Sequence, residues 1–328
     1  MWVQYHGPRE FCALCEEAAE AAGDRAESRT IGMTVAGAPI RAYTVGAPGA
    51  QPDANRPQVM IIAAIHGCEV IASELALAVL QSAAANSVES RPLSEVADLT
   101  IIPAINLDSR TRAVATIHRA GLYRSAPRTN AHGVDLNRNW PFPDGVTDHW
   151  LPISGTNRWR SPWYRGPRPL SEPETQAVDA LVREIRPLAL LNLHSTGCIL
   201  THPWSSKEEP PADLDGFQKM IAAFNAAQRH HQYRSKQSRA WYPIIGSSND
   251  YFYDRFGVLA LTVETSPPAA SVKADPRRAS RFFWYANPTD PEHWIDNDRP
   301  ACFAALRAAV DHRHVNTLGA RSRPPHPR

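Results

Sequence analysis

Val59-Met60-Ile61-Ile62-Ala63-Ala64-Ile65-His66-Gly67-Cys68-Glu69 is an apolar run that stops at a histidine, with a carboxylate three residues later. Seven apolar residues in a row suit a strand buried on both faces, as parallel sheets require. The alanine- and leucine-rich stretch Glu69–Ala85 then predicts a helix. The pattern recurs downstream. Leu188–Leu191 is apolar and passes into Asn192-Leu193-His194-Ser195, and Val258–Val263 ends at Glu264. Leu99–Ile105 is a further buried strand in this reading, residues 9–22 a helix, and 31–46 a strand pair turning at Gly37-Ala38-Pro39. Apolar strands separated by helices predict an α/β chain with a mostly parallel sheet covered on both faces.

Polar residues at the carboxyl ends of such strands sit where open α/β sheets build their sites. His66, Glu69 and His194 make a His₂Glu set, which leaves one position of a tetrahedral zinc open, as in catalytic rather than structural sites. Two core histidines at strand ends would fit the same spacing. Glu264, alone at the end of its apolar run, must be hydrogen-bonded, paired or used. It suits a general base, and a salt bridge to one of the many arginines would explain it equally. In Gly133-Val134-Asp135-Leu136-Asn137-Arg138-Asn139-Trp140, an amide and a planar guanidinium stand side by side. Such a fork fits a carboxylate. Arg128, ten residues earlier, could stabilise an oxyanion.

The bulk composition bounds the rest. The chain has 328 residues, 43% of them apolar, enough for a large core. Lys+Arg number 35 and Asp+Glu 33, for a net charge of +2. That balance offers no field for nucleic acid. No segment reaches the roughly 18 apolar residues of a membrane span, and the N-terminus lacks a secretory pattern. Five cysteines are too few, and odd in number, for a disulfide framework. A cytoplasmic protein with reduced thiols is therefore expected. Cys12-x-x-Cys15 has no second pair at zinc-finger spacing, and Cys68 is read as a small packed hydrophobe. Trp140–Arg168 is expected to be a long ordered loop that walls the pocket. Ser171 with Glu174 reads as a helix capping box. Residues 315–328, basic and proline-rich, read as a disordered tail.

These motifs together resemble the zinc carboxypeptidases of the carboxypeptidase A type, the M14 peptidases. The His66/Glu69 pair, the Gly-Val-Asp-Leu-Asn-Arg-Asn run, the Asn-Leu-His-Ser strand end and the Thr-Val-Glu-Thr strand end follow that family's order, across residues 59 to 266. The resemblance implies one domain: a three-layer α/β/α fold with a twisted mixed sheet of about eight strands, its catalytic core spanning 59–312 after an N-terminal helix and strands (1–50). It implies one zinc ion held by His66, Glu69 and His194, with Glu264 as general base and acid. Asn137 and Arg138 would grip a substrate's terminal carboxylate. Arg128 would stabilise the oxyanion, with Arg124 as a rival, because loop length varies here within the family. Tyr242, 22 residues before Glu264, would be the tyrosine that closes over substrate. Asn249 falls near the base of the side-chain pocket and implies a polar preference. The partner is then a peptide with a free C-terminal carboxylate, with neither nucleic acid nor membrane.

Within the family, the stretch Arg128–Arg138 is closest in look to the murein peptide amidase branch, which cuts γ-D-glutamyl–diaminopimelate bonds. A general carboxypeptidase and an N-acyl amino acid deacylase are the alternatives, and the Tyr242 spacing counts against the deacylase. Asn106-Leu107-Asp108-Ser109 stands where many members carry Asn-Pro-Asp-Gly, so this loop is expected to differ.

Overall fold

In the computed structural model, residues 5–47, 56–120, 127–267 and 287–321 are described. Eight strands form one sheet: β1 (Ala26–Met33), β2 (Pro39–Val45), β3 (Gln58–Ala63), β4 (Asp98–Ile102), β5 (Ala189–His194), β6 (Ile199–His202), β7 (Arg234–Gln237) and β8 (Leu259–Glu264). Their spatial order is β1-β2-β4-β3-β5-β8-β6-β7. The central four, β4-β3-β5-β8, are mutually parallel. The mixed sheet of about eight strands implied by the resemblance is therefore present, and the mostly parallel sheet read from the apolar runs holds for its centre alone. β6 and β7 have no counterpart among the expected strands. β6 is four residues long, and β7, Arg-Ser-Lys-Gln, forms the edge with Arg234 and Ser235 exposed.

Among the described residues, eight α-helices accompany the sheet: α1 (Pro8–Ala22), α2 (Val70–Ala84), α3 (Arg91–Ser94), α4 (Leu107–Ala120), α5 (Pro173–Ile185), α6 (Leu214–Ala227), α7 (Ser248–Phe256) and α8 (Pro291–Arg321). Strand alternation divides the core in two. Val59, Ile61 and Ala63 face one layer with Leu191, Leu261 and side chains of α1, α2, α6 and α8. Met60, Ile62, Leu190 and Ala260 face the other, with Val178 and Leu181 of α5, Phe252 of α7 and Trp140. His194 and Glu264 share the parity of Leu190 and Ala260, so both turn to the α5/α7 layer, opposite one another in register.

Three local expectations need correction or limit. Ser171 and Glu174 form no capping box. α5 starts at Pro173 with Glu172 at its N-cap and no side-chain cap. Ser171 Oγ is instead engaged with Asn139 and Glu172, and the Glu174 carboxylate accepts from the Val35 amide and Asn130. Tertiary partners outcompete the local motif. α8 continues to Arg321, so the stretch expected as a tail from 315 begins as helix, and 322–328 lie outside the described residues. Arg124 also lies outside them. The five cysteines are unpaired, and no described helix is long and apolar enough to cross a membrane.

Candidate metal centre

β3 ends at Ala63, and the chain turns through His66 to Glu69, which sits at the N-cap of α2. Gly67 in this turn packs against α4. A Cβ there would lie 2.1 Å from the Ser109 Cβ and 2.4 Å from its carbonyl carbon, so only glycine fits. The stretch Asn106-Leu107-Asp108-Ser109, expected as a loop, enters α4 at Leu107 and serves as a brace. Asn106 donates to the Ile65 carbonyl, and its own amide donates to Ala64 O. β5 delivers His194, and β8 delivers Glu264 beside it.

His66, Glu69 and His194 are all buried, and their donor atoms lie within 4.8 Å of one another. His66 Nδ1 is 2.8 Å from Glu69 Oε1, and His194 Nδ1 is 2.9 Å from Glu69 Oε2. His66 Nε2 stands 3.1 Å from Asp135 Oδ1. An ionised Asp135 only accepts, so the proton of a neutral His66 belongs on Nε2, leaving the Nδ1 lone pair aimed at another acceptor. That arrangement needs a cation between ring and carboxylate. Two imidazole nitrogens and a carboxylate oxygen, with an outer carboxylate orienting one ring, fit zinc.

The electrostatics agree. Burial works to raise the Glu69 carboxyl, but the two imidazoles outweigh it and leave Glu69 well below the usual range. Burial likewise opposes ionisation of Asp135, and Arg128, Arg138 and His66 hold it low. Arg128 donates from Nε to Asp135 Oδ2 at 3.0 Å and lies 3.5 Å from Glu69 Oε1. Glu264 moves the other way. Burial raises it well above the ordinary carboxylate value, the Glu69 charge adds to this, and His66 and Arg128 oppose.

These groups open on a cavity of about 260 Å³. His66, Glu69, His194, Glu264, Arg128, Asn137, Tyr242 and Asn249 all line it, so eight of the residues singled out in the sequence converge there. The Trp140–Arg168 segment supplies Ile153 and Trp163 to its wall. Asn137 is held by its Oδ1, which accepts from the Ser248 amide and hydroxyl. Arg138 is different. Its side chain is fully buried behind the wall, donating to the carbonyls of Asn137 (2.9 Å) and Ile153 (2.8 Å). Gly246 makes this close packing possible: its φ is +78°, and a Cβ there would lie 2.4 Å from Arg138 O.

Sequence reasoning did not single out Asp135 as the partner of His66, nor the hydroxyls of Thr201, Ser205, Ser238, Ser247 and Thr262 that line the cavity. A lone acid between Arg128 and Arg138 was the available signal for the first.

A family model described as zinc carboxypeptidase matches residues 11–284. Carboxypeptidase B of Astacus astacus is 24% identical over 272 residues, covering 80% of this chain and 86% of that protein. Carboxypeptidase SOL1 of Arabidopsis thaliana is 24% identical over 253 residues, covering 72% of this chain and 45% of that protein. The chain therefore spans most of the first relative but under half of the second. Among solved structures, carboxypeptidase A from Helicoverpa armigera superposes with a TM-score of 0.74 at 20% identity, over 95% of this chain and 75% of that one. Bovine thrombin-activatable fibrinolysis inhibitor, in complex with tick carboxypeptidase inhibitor, gives 0.71 at 22% identity, over 96% and 99%. At these identities the structural likeness speaks for the fold.

Proposed function

We propose that this chain, which belongs to the zinc carboxypeptidase family, is a metallocarboxypeptidase that hydrolyses the last amide bond of a peptide with a free C-terminal carboxylate. The observation that carries the reading is the convergence of His66, Glu69 and His194 on one side of a cavity that Glu264 and Arg128 also line. Zinc, when bound by those three residues, supplies a Lewis acid that polarises the scissile carbonyl and makes water nucleophilic near neutral pH.

The chain's own groups do the rest. Glu264 takes a proton from the attacking water and returns it to the leaving nitrogen. Its buried carboxyl, held above the usual range, is suited to passing a proton in both directions. The Arg128 guanidinium carries the charge that grows on the carbonyl oxygen. Asp135 and Glu69 support Arg128 in that position. The side-chain nitrogen of Asn137, which has no partner among the described residues, is suited to hold the terminal carboxylate. Arg138 stiffens the backbone that presents Asn137 and adds positive charge behind it. Tyr242, half-buried at the cavity wall, is suited to cover the bound end. Five unpaired thiols fit a reducing compartment such as the cytoplasm.

A second reading is favoured by the polar, uncharged group around Asn249. It suits the zwitterionic head of diaminopimelate, as in γ-D-glutamyl cell-wall peptides. The deciding experiment incubates zinc-loaded protein with ordinary peptides, L-Ala-γ-D-Glu-diaminopimelate and N-acyl amino acids, with Glu264→Gln as the blank, and identifies products by mass spectrometry. Release of C-terminal residues supports the reading. Cleavage of N-acyl amino acids alone replaces it with a deacylase.

A further inference from the structure

Thr262 precedes Glu264 by two residues on β8, so both side chains share a face, with Thr262 about 7 Å deeper along the strand. Across the antiparallel pair, Thr201 of β6 is its register partner. Opposite residues on one face keep their side chains about 5 Å apart. Both threonines line the cavity.

Their hydrogen bonds leave a surplus of protons. Asn249 Nδ2 donates to Ala260 O (3.2 Å) and to Thr262 Oγ1 (2.8 Å), while Asn249 Oδ1 accepts from Asn192 Nδ2 and Ser248 Oγ. The amide's orientation is set by the Ala260 carbonyl, which only accepts, so Thr262 Oγ1 is an acceptor there. Ser238 Oγ donates to Thr201 Oγ1 at 2.8 Å. Among the described residues, neither threonine hydroxyl has an acceptor for its own proton. Two O–H donors thus face the deep end of the cavity side by side.

Charge is missing from the same end. The cavity-lining ionisable residues are His66, Glu69, Arg128, His194, Tyr242 and Glu264, none of them a register partner of either threonine; Lys236 of β7 is the register partner of Thr201 but does not line the cavity. Asp250, next to Asn249, is turned away. It accepts from the amides of Ser205 (2.8 Å) and Ser206 (2.9 Å) and from Ser206 Oγ. Ile153 and Ile244 add apolar wall for a side-chain stem.

We propose, resting on the carboxypeptidase reading, that Thr201 and Thr262 select a C-terminal residue whose side chain ends in a net-neutral, oxygen-bearing group: a carboxamide or a zwitterionic amino-acid head. An aliphatic or aromatic tip strands both donors without an acceptor, which is the costly case. A lone carboxylate or ammonium finds no countercharge among the residues lining this end of the cavity.

The test measures kcat/KM of the zinc-loaded enzyme on acylated dipeptides ending in Gln, diaminopimelate, Leu, Phe, Glu and Lys. Binding of the same peptides to Glu264→Gln protein is followed in parallel by calorimetry. Gln or diaminopimelate is expected to lead all the others by about tenfold. Which of the two leads distinguishes ordinary from cell-wall peptides. Thr262→Val and Thr201→Val each reduce that lead by roughly fivefold, in part by speeding the Leu peptide, which then strands one donor fewer, and Thr→Ser at either position restores it. A lead for Leu, Phe, Glu or Lys overturns the proposal, as does a threonine variant that slows every peptide alike. If no peptide is cut but binding keeps its Thr262-dependent preference, the catalytic reading falls and the pocket stands. Binding without preference, or no binding, sinks the pocket.

Discussion

His66 Nε2 and Asp135 Oδ1 are 3.1 Å apart, and Asp135 also accepts from Arg128 Nε and the Asn137 amide. One buried carboxylate thus holds the His66 ring, the Arg128 guanidinium and the Asn137 backbone at once, the groups proposed to bind zinc, to meet the oxyanion and to present the carboxylate-binding side chain. Asp135→Asn puts an amide in its place and frees His66 to adopt either tautomer. Zinc affinity is expected to fall about tenfold to hundredfold. Competition against a chromophoric chelator reads the change directly, and an unaltered affinity would count against this role.

Glu264 touches neither the zinc donors' hydrogen bonds nor the sheet's packing through its carboxylate, so charge removal there separates chemistry from binding. Glu264→Gln is expected to keep one zinc per chain, by atomic absorption, while kcat drops by a factor on the order of 10² to 10⁴. A variant that loses metal along with activity would contradict the assignment.

Arg128→Lys keeps a positive charge but loses the fork that holds Asp135 and Glu69 together. The expected result is a fall in kcat on the order of 10² to 10³ with a much smaller change in KM. Steady-state kinetics on one peptide suffice. A pure KM effect would reassign Arg128 to ground-state binding.

Removing the metal leaves the His66 Nδ1 lone pair facing the Glu69 carboxylate. With free zinc at about a thousand times its Kd, bound metal adds roughly 4 kcal/mol of stability, or about 6 °C in Tm for a chain of this size. Thermal unfolding with and without a chelator reads this without any substrate. Identical curves would mean that the three donors hold no ion.

Asp298, fully buried on α8, has its carboxyl pushed up to about 6 by burial, against hydrogen bonds from Gln228, Tyr233 and Asn297. In the unfolded chain it titrates near the usual ~3.9. The folded state binds the proton more tightly, so this contribution is complete below pH 4. It is lost as pH rises to 6 and stays constant above. A shift of about two units corresponds to roughly 3 kcal/mol. Asp298→Asn should flatten the Tm profile between pH 4 and 6, and a slope equal to the parent's would remove Asp298 as its source.

The legible parts of the fold were those where composition changes sharply. β3, β5 and β8 are mostly apolar, broken inside only by Asn192 and Thr262; β5 and β8 end at His194 and Glu264, and His66 and Glu69 follow β3 a turn later. β6 and β7 were silent because four residues carry no period, and β7 has no apolar residue at all. The selecting pair shows the same limit. Thr262 lies in a visible strand, but its partner Thr201 lies in an invisible one, so their juxtaposition exists only in the sheet register. Arg138 illustrates a different gap: sequence suggests its chemistry, whereas packing decides that its guanidinium is spent on the Asn137 and Ile153 carbonyls.

The short outer strand Arg234-Ser235-Lys236-Gln237 has a consequence for the chain's conduct in crowded solution. An open sheet margin is a template on which another molecule's backbone can lie down and propagate. Here any such guest would meet two cations within four residues and soon run out of strand to pair with. Aggregation by margin-to-margin stacking is thereby discouraged on this side, and Arg234 and Lys236 are the positions whose neutralisation would invite it.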